Sequence, residues 1–220
     1  MKTLAVITGD RRLVRPFELY DISDELRIVV CRSCTKGQLV RRLKKLQVSG
    51  YIAEEDIRLP FERYDGTGIF CLKLPMLIKK LVKVKNISTN SVVVVSSGNN
   101  GVDDMLFENI ADIFREFYII STDYDFAVRQ AERLLCEYGI VAHTDEPKEM
   151  CDVEIFTGND FCGLGRCLLN YNTQYEVNHG YNLPVEIDSR AFSEALLAYG
   201  VITEVQLKAL GVTIGGILDD

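Results

Sequence analysis

The run Val92-Val93-Val94-Val95-Ser96-Ser97-Gly98-Asn99-Asn100-Gly101 reads as a buried strand that enters a glycine-containing loop, with a helical pattern behind it. Asp123 follows 25 residues after Gly98. In a dinucleotide site, loop glycines let backbone N–H groups approach a pyrophosphate, and an acidic residue about 20 positions on takes the ribose diol. The expected binding residues are therefore Ser97, Gly98, Asn99, Asn100, Gly101 and Asp123. His143 joins them as the last residue of a predicted strand, at the rim where α/β sheets bind ligands. The glycines are spaced G-x-x-G, not G-x-G-x-x-G. Asp103 and Asp104 open the next helix, where they suit its dipole but oppose a pyrophosphate, and no Lys or Arg is expected nearby to offset them.

Other residues could carry other chemistry. Cys31-Arg32-Ser33-Cys34 precedes a predicted helix, whose N-terminus would favour a thiolate. Cys162 and Cys167 could complete a four-thiolate zinc set with that pair, although the spacing equally suits packed cysteines, and no metal site is expected. Gly163, Gly165 and Arg166 could form an anion-binding nest. Asp123, Asp125, Asp145 and Glu146 could gather at one sheet edge, as cation ligands or as helix caps. No nucleophile elbow, zincin helix or phosphate-binding Walker loop occurs, so no catalytic residue is assigned.

The elements that must position these residues follow from periodicity. Leu4–Thr8 and Leu26–Val30 read as strands. Thr35 can cap a helix to about Gln47, striped by Leu39, Leu43 and Leu46. Pro60 to Gly68 reads as irregular, and a basic amphipathic helix covers roughly 72–84 with Pro75 in its first turn. The polar stretch 86–91 marks a boundary, giving a basic α/β unit over 1–88 and a second unit over 89–220. In the second, strands at Val92–Val95, Phe117–Ile120, Ile140–Ala142, Val153–Phe156 and Cys167–Leu169 alternate with helices. One helix is capped by Asp125 and stopped by Gly139; a late one runs from Asp188 or Ser189 to Tyr199 and is stopped by Gly200. This rhythm predicts βαβ units and a parallel sheet, which the first unit could share.

Tyr118-Ile119-Ile120-Ser121-Thr122-Asp123, the helix 126–138, Gly139-Ile140-Val141-Ala142-His143-Thr144 and Cys151-Asp152-Val153-Glu154-Ile155-Phe156 carry a family resemblance. Residues 91–200 resemble the NAD(P)-binding Rossmann domains of the glutamyl-tRNA reductase and shikimate dehydrogenase kind. The resemblance implies a doubly wound sheet and NAD or NADP as cofactor.

Composition bounds the rest. The 220 residues are 47% hydrophobic and 26% charged, enough for a core and against global disorder. Seven cysteines without an export signal favour reduced thiols and a cytoplasmic protein, and no apolar run reaches membrane-span length. Residues 1–90 hold 18 of the 25 Lys and Arg, while residues 91–220 hold 22 of the 32 Asp and Glu. A pI near 5.0 argues against nucleic acid as partner. Three readings remain: a Rossmann-like protein binding a nucleotide or dinucleotide at a degenerate site; an NAD(P)-dependent oxidoreductase using His143 or Tyr124 as proton donor; and an interaction module that uses the charge asymmetry.

Overall fold

The computed structural model describes residues 1–8, 17–32, 35–54, 57–96, 101–157 and 162–214, without the side chains of 32 and 101–103. The chain runs β1 (Lys2–Thr8), β2 (Phe17–Asp21), β3 (Leu26–Arg32), α1 (Lys36–Lys45), β4 (Gly50–Ala53) and β5 (Glu62–Arg63). A 3-10 turn (Thr67–Ile69) leads into α2 (Phe70–Lys85). Next come β6 (Ser91–Ser96), α3 (Gly101–Ile110), β7 (Glu116–Ser121), α4 (Tyr124–Tyr138), β8 (Ala142–His143), β9 (Cys151–Phe156), β10 (Gly165–Asn170) and β11 (Tyr175–Val177). Helices α5 (Ser189–Ala198) and α6 (Glu204–Ala209) precede β12 (Val212–Ile214), which pairs with β11. None of the described helices is long and apolar enough to cross a membrane.

The chain forms two units, one of residues 1–69 and 176–213, the other of 70–175 and 214–220. The division differs from the 88/89 boundary read from the sequence. Helix α2 goes with the second unit, and the chain returns to the first after β10. The two units have separate sheets rather than a shared one.

The first unit is built on the sheet β2-β3-β1-β4-β5, with β2 antiparallel and the other strands parallel. β1 lies at its centre, which explains its unbroken apolar run: both faces are covered. On one face Leu4, Val6, Ile28 and Val30 pack with Ala191, Phe192, Ala195 and Leu196 of α5. On the other Ala5, Ile7, Val29 and Cys31 pack with Leu39 and Leu43 of α1. Helix α1 matches the predicted stripe, although the Thr35 side chain makes no capping bond. Helix α5, expected in the second unit, completes the core of the first. Asp188 caps it, accepting from the N–H groups of Arg190 and Ala191.

Glu194 on α5 accepts backbone N–H bonds from Asp65 (3.1 Å), Gly66 (2.8 Å) and Gly68 (3.0 Å). The turn needs glycine: Gly66 has φ +83°, and a Cβ on Gly68 would sit 2.3 Å from a Glu194 carboxylate oxygen. Thus 60–68, expected to be irregular, contains β5 and a pinned turn. Burial, aided by the nearby Asp65 charge, raises the Glu194 pKa above its ordinary 4.5, against the opposing pull of the N–H bonds. A carboxyl raised in the folded state contributes stability that is full below the unfolded value and is lost as pH rises through the folded value. Urea midpoints measured from pH 4 to 7 should show this decline in the wild type. The decline should be smaller in Glu194→Gln, which does not titrate there.

The second unit contains the all-parallel sheet β8-β7-β6-β9-β10. Chain order runs outward from β6 to β8, returns to the far side of β6 for β9, and moves outward again to β10. This is the doubly wound Rossmann-like order. Residues 92–95 are buried at the sheet centre. Helix α3 packs on α2, and α4 packs on β7 and β8. Val93, Val95 and Cys151 cluster with Tyr118, Ile120, Phe156 and Leu164, with no helical residue in the cluster. The β8–β9 crossover, residues 144–150, is a loop without a helix. Pro75 lies inside α2 rather than in its first turn, because Phe70 and Cys71 extend the helix forward; the ring removes the backbone bond that residue 75 would make to Cys71.

Candidate functional site

The strand order creates one topological switch point, where β6 feeds α3 on one side and β9 feeds β10 on the other. In open α/β sheets this crevice at the strand carboxyl ends is where ligands bind. Register places Ser96 level with Ser121, and Val95 level with Phe156. Thr157 extends β9 past that level, its N–H donating to the Val95 carbonyl at 2.9 Å. Ser96 and Thr157 are both buried, so polar side chains line the carboxyl end of the sheet beside β6 and β9.

Asp123 stands two residues beyond the end of β7. Its N–H donates to Ser121 Oγ (3.1 Å), and its Oδ1 accepts from the Phe126 N–H (3.1 Å). It is therefore the N-cap of α4, a role the sequence reading gave to Asp125, which instead lies in the first turn. The reason is geometric: a capping oxygen must reach the third residue of the helix, and the helix begins at Tyr124. The remaining oxygen, Oδ2, lies 3.9 Å from the exposed Arg129 guanidinium.

Of the other predicted binding residues, Ser97, Gly98, Asn99 and Asn100 lie outside the described residues. Gly101 is the first residue of α3. The Asp103 side chain is also outside the description, but Asp104 is placed, and its charge is offset. Asp104 Oδ1 lies 3.1 Å from Arg133 Nη1 and accepts from Gln130 Nε2 at 2.9 Å. Arg133 also meets Glu108 (2.8 Å) and Glu137 (3.0 Å). The expectation that no cation stands near Asp104 is corrected: α4 supplies one from 29 positions along the chain.

His143 is not brought to the crevice. β8 has two residues, paired level with Phe117 and Tyr118, so His143 sits three residues short of Ser121, about 10 Å along the strand. It stacks on Tyr118 with centroids 5.0 Å apart. Tyr118 donates to Glu116 (2.7 Å), and this bond, with burial, pushes the phenol up to about 12. Asp145 and Glu146 line a hollow with Ser91 and Cys151, which begin β6 and β9. They therefore belong to the amino end of the sheet, away from Asp123 and Asp125. Tyr124, the other proton-donor candidate, opens α4 at the carboxyl end and is 64% exposed.

The cysteine readings also change. Cys31 is part of β3 and fully buried in the first unit's core; Cys34 lies outside the described residues. Among the described residues no group of three His, Cys, Asp or Glu is placed to hold a metal.

Gly163 and Gly165 do belong to an anion-binding backbone, but its anion is part of the chain. Glu154, fully buried on β9, accepts from the N–H groups of Cys162 (3.2 Å), Leu164 (2.7 Å) and Gly165 (3.0 Å). A Cβ on Gly165 would sit 2.4 Å from the Glu154 backbone nitrogen, so glycine is required for this approach. Asp152, two residues earlier, accepts from the N–H groups of Asn90 (2.9 Å) and Ser91 (3.2 Å). The sequence reading missed both carboxylates. Their signal was there: two acids inside a six-residue strand buried along nearly its whole length must have buried partners.

The second unit is Rossmann-like in its strand order and switch point. No protein-family model matches the chain, and no curated protein matches it. Among solved structures, it is similar to L-tryptophan dehydrogenase from Nostoc punctiforme, at 13% identity and TM-score 0.40, covering 84% of this chain and 59% of that one. Quinate dehydrogenase from Corynebacterium glutamicum, solved with NAD, matches at 14% identity and TM-score 0.33 over 70% of each chain. Aspartate transcarbamoylase from Trypanosoma cruzi matches at 11% identity and TM-score 0.37, over 94% of this chain and 80% of that one. The chain thus spans under two thirds of the tryptophan dehydrogenase, and its neighbours include both oxidoreductases and carbamoyltransferases.

Proposed function

We propose that the second unit binds a nucleotide or dinucleotide, NAD or NADP, in the crevice between the carboxyl ends of β6 and β9. Asp123 takes the ribose diol. The observation that carries this reading is the position of Asp123. It follows β7, the strand next to β6 in a doubly wound sheet, and its cap uses one carboxylate oxygen while Oδ2 lies 3.9 Å from an exposed arginine. The Arg133 pairing answers the Asp104 charge that would oppose a pyrophosphate at the start of α3. If the bound dinucleotide carries hydride, Tyr124 stands beside Asp123 to hold a proton, whereas register keeps His143 away.

Calorimetric titration with NAD, NADH, NADP, NADPH and ATP tests the reading. Binding of at least one is expected, with about a tenfold loss in Asp123→Asn, which retains an oxygen to cap α4 but no carboxylate for the diol. Asp123→Ala should lose the same affinity and also about 1 kcal/mol of stability through the missing cap. Failure of all five ligands to bind, or equal affinity in Asp123→Asn, removes the proposal.

A further inference from the structure

The first unit has a second candidate site, independent of the Rossmann crevice. The loop after β11, the end of α5 and helix α6 border an open hollow of about 410 Å³ whose walls include Tyr181, Leu196, Ile202 and Leu210. Its size falls within the range of small-molecule pockets. None of its lining residues carries a formal charge, and three bring polar side-chain atoms, His179, Tyr181 and Gln206. The Gln206 amide oxygen is already engaged, accepting from the Thr203 N–H at 2.8 Å in the capping box of α6.

His179 is held differently. Its Nδ1 accepts from the Tyr181 N–H at 3.1 Å, and its ring packs edge-on against Phe192 with centroids 4.9 Å apart. An accepting Nδ1 assigns the proton of the neutral ring to Nε2. Burial lowers the His179 pKa below its ordinary 6.5, so the ring is neutral at pH 7. Nε2–H has no hydrogen-bond partner among the described residues. The hollow therefore offers apolar side chains and a neutral imidazole N–H, beside the Tyr181 hydroxyl and the Gln206 amide. An anion entering it would lose water without meeting a cation, and a hydrocarbon would leave the N–H unpaired.

We propose that this cavity binds a small neutral molecule with an apolar body and a carbonyl oxygen that accepts from His179 Nε2–H. The chain has only two histidines, so the ring nitrogens of His179 and His143 can be separated in a ¹⁵N-histidine spectrum with His143→Gln as the assignment control. The probes are acetophenone, ethylbenzene, which lacks the oxygen, and benzoate, which carries charge. Acetophenone should shift the His179 nitrogens saturably. Ethylbenzene should bind about three- to tenfold more weakly, and benzoate weaker still. His179→Phe, which keeps a ring in place, should bring acetophenone down to the ethylbenzene level. Ala209→Trp, at an exposed lining position, should block both while leaving the melting temperature unchanged. No saturable shift with acetophenone, equal binding of acetophenone and ethylbenzene, or intact binding in Ala209→Trp overturns the proposal.

Discussion

Glu154→Ala should lower the stability of the second unit by about 3–4 kcal/mol, seen as a melting temperature about 10 °C lower and a proportionally lower urea midpoint. The side chain is fully buried and satisfies the N–H groups of Cys162, Leu164 and Gly165. Truncation leaves the buried Gly165 N–H and the part-buried Leu164 N–H without that partner and opens a hole in the sheet, and an unsatisfied buried donor costs about 1–3 kcal/mol. Water entering the hole would offset part of this, which keeps the figure well below the sum. Glu154→Gln should lose about half as much. Its oxygen can still accept from Leu164 and Gly165, while its NH2 group opposes the Cys162 N–H. Gly165→Ala provides a steric check at the same place, because its Cβ meets backbone atoms that cannot rotate away. If Glu154→Ala melts within a degree or two of the wild type, the nest is not a structural anchor.

Phe192→Ala should cost about 3–5 kcal/mol, and its effect should fall on the first unit. Phe192 is fully buried among Leu4, Ile28 and Val30, and it meets Tyr181 edge-on at 5.9 Å. Removing the ring leaves a cavity at the centre of the face that α5 covers. Hydrogen exchange resolves the location: amides of β1 and β3 should exchange faster by about two to three orders of magnitude, while those of β6 and β9 stay protected. Equal loss of protection in β6 would mean that residues 189–199 support the second unit, as the sequence-based division at 88/89 implies. This test bears on the cavity beside His179 as well, since the Phe192 ring forms part of the packing that orients the imidazole.

Much of the local structure was legible in the sequence. Four consecutive valines announced a strand covered on both faces. Gly139 and Gly200 marked helix ends and do take positive φ, 69° and 67°. Of the two residues at which the late helix could start, Asp188 is the cap and Ser189 the first helical residue. The strand–helix alternation over 91–200 predicted a parallel Rossmann-like sheet; the strand order bears it out as far as residue 170, and 176–200 belong to the first unit. These signals survive because they depend on neighbours within a turn or two, where chain geometry dictates which residues share a face. Short elements with little periodicity escaped, among them β2, β4 and the two-residue β5.

Other features were decided only by contacts between distant positions. No spacing in the sequence indicates that α5 returns to cover β1 and β3, that Arg133 answers Asp104, or that the nest around Gly163 and Gly165 holds Glu154. Asp123 shows the two levels meeting. Its position after a strand marked it as a binding residue, but the first turn of α4 recruits one of its oxygens as a cap. His143 shows them parting. Its place at a strand end was read correctly, yet only the register of β8 against β7 determines at which level of the sheet that end falls. Periodicity tells a strand which side faces the core; how far it slides along its neighbour is set by packing across the sheet.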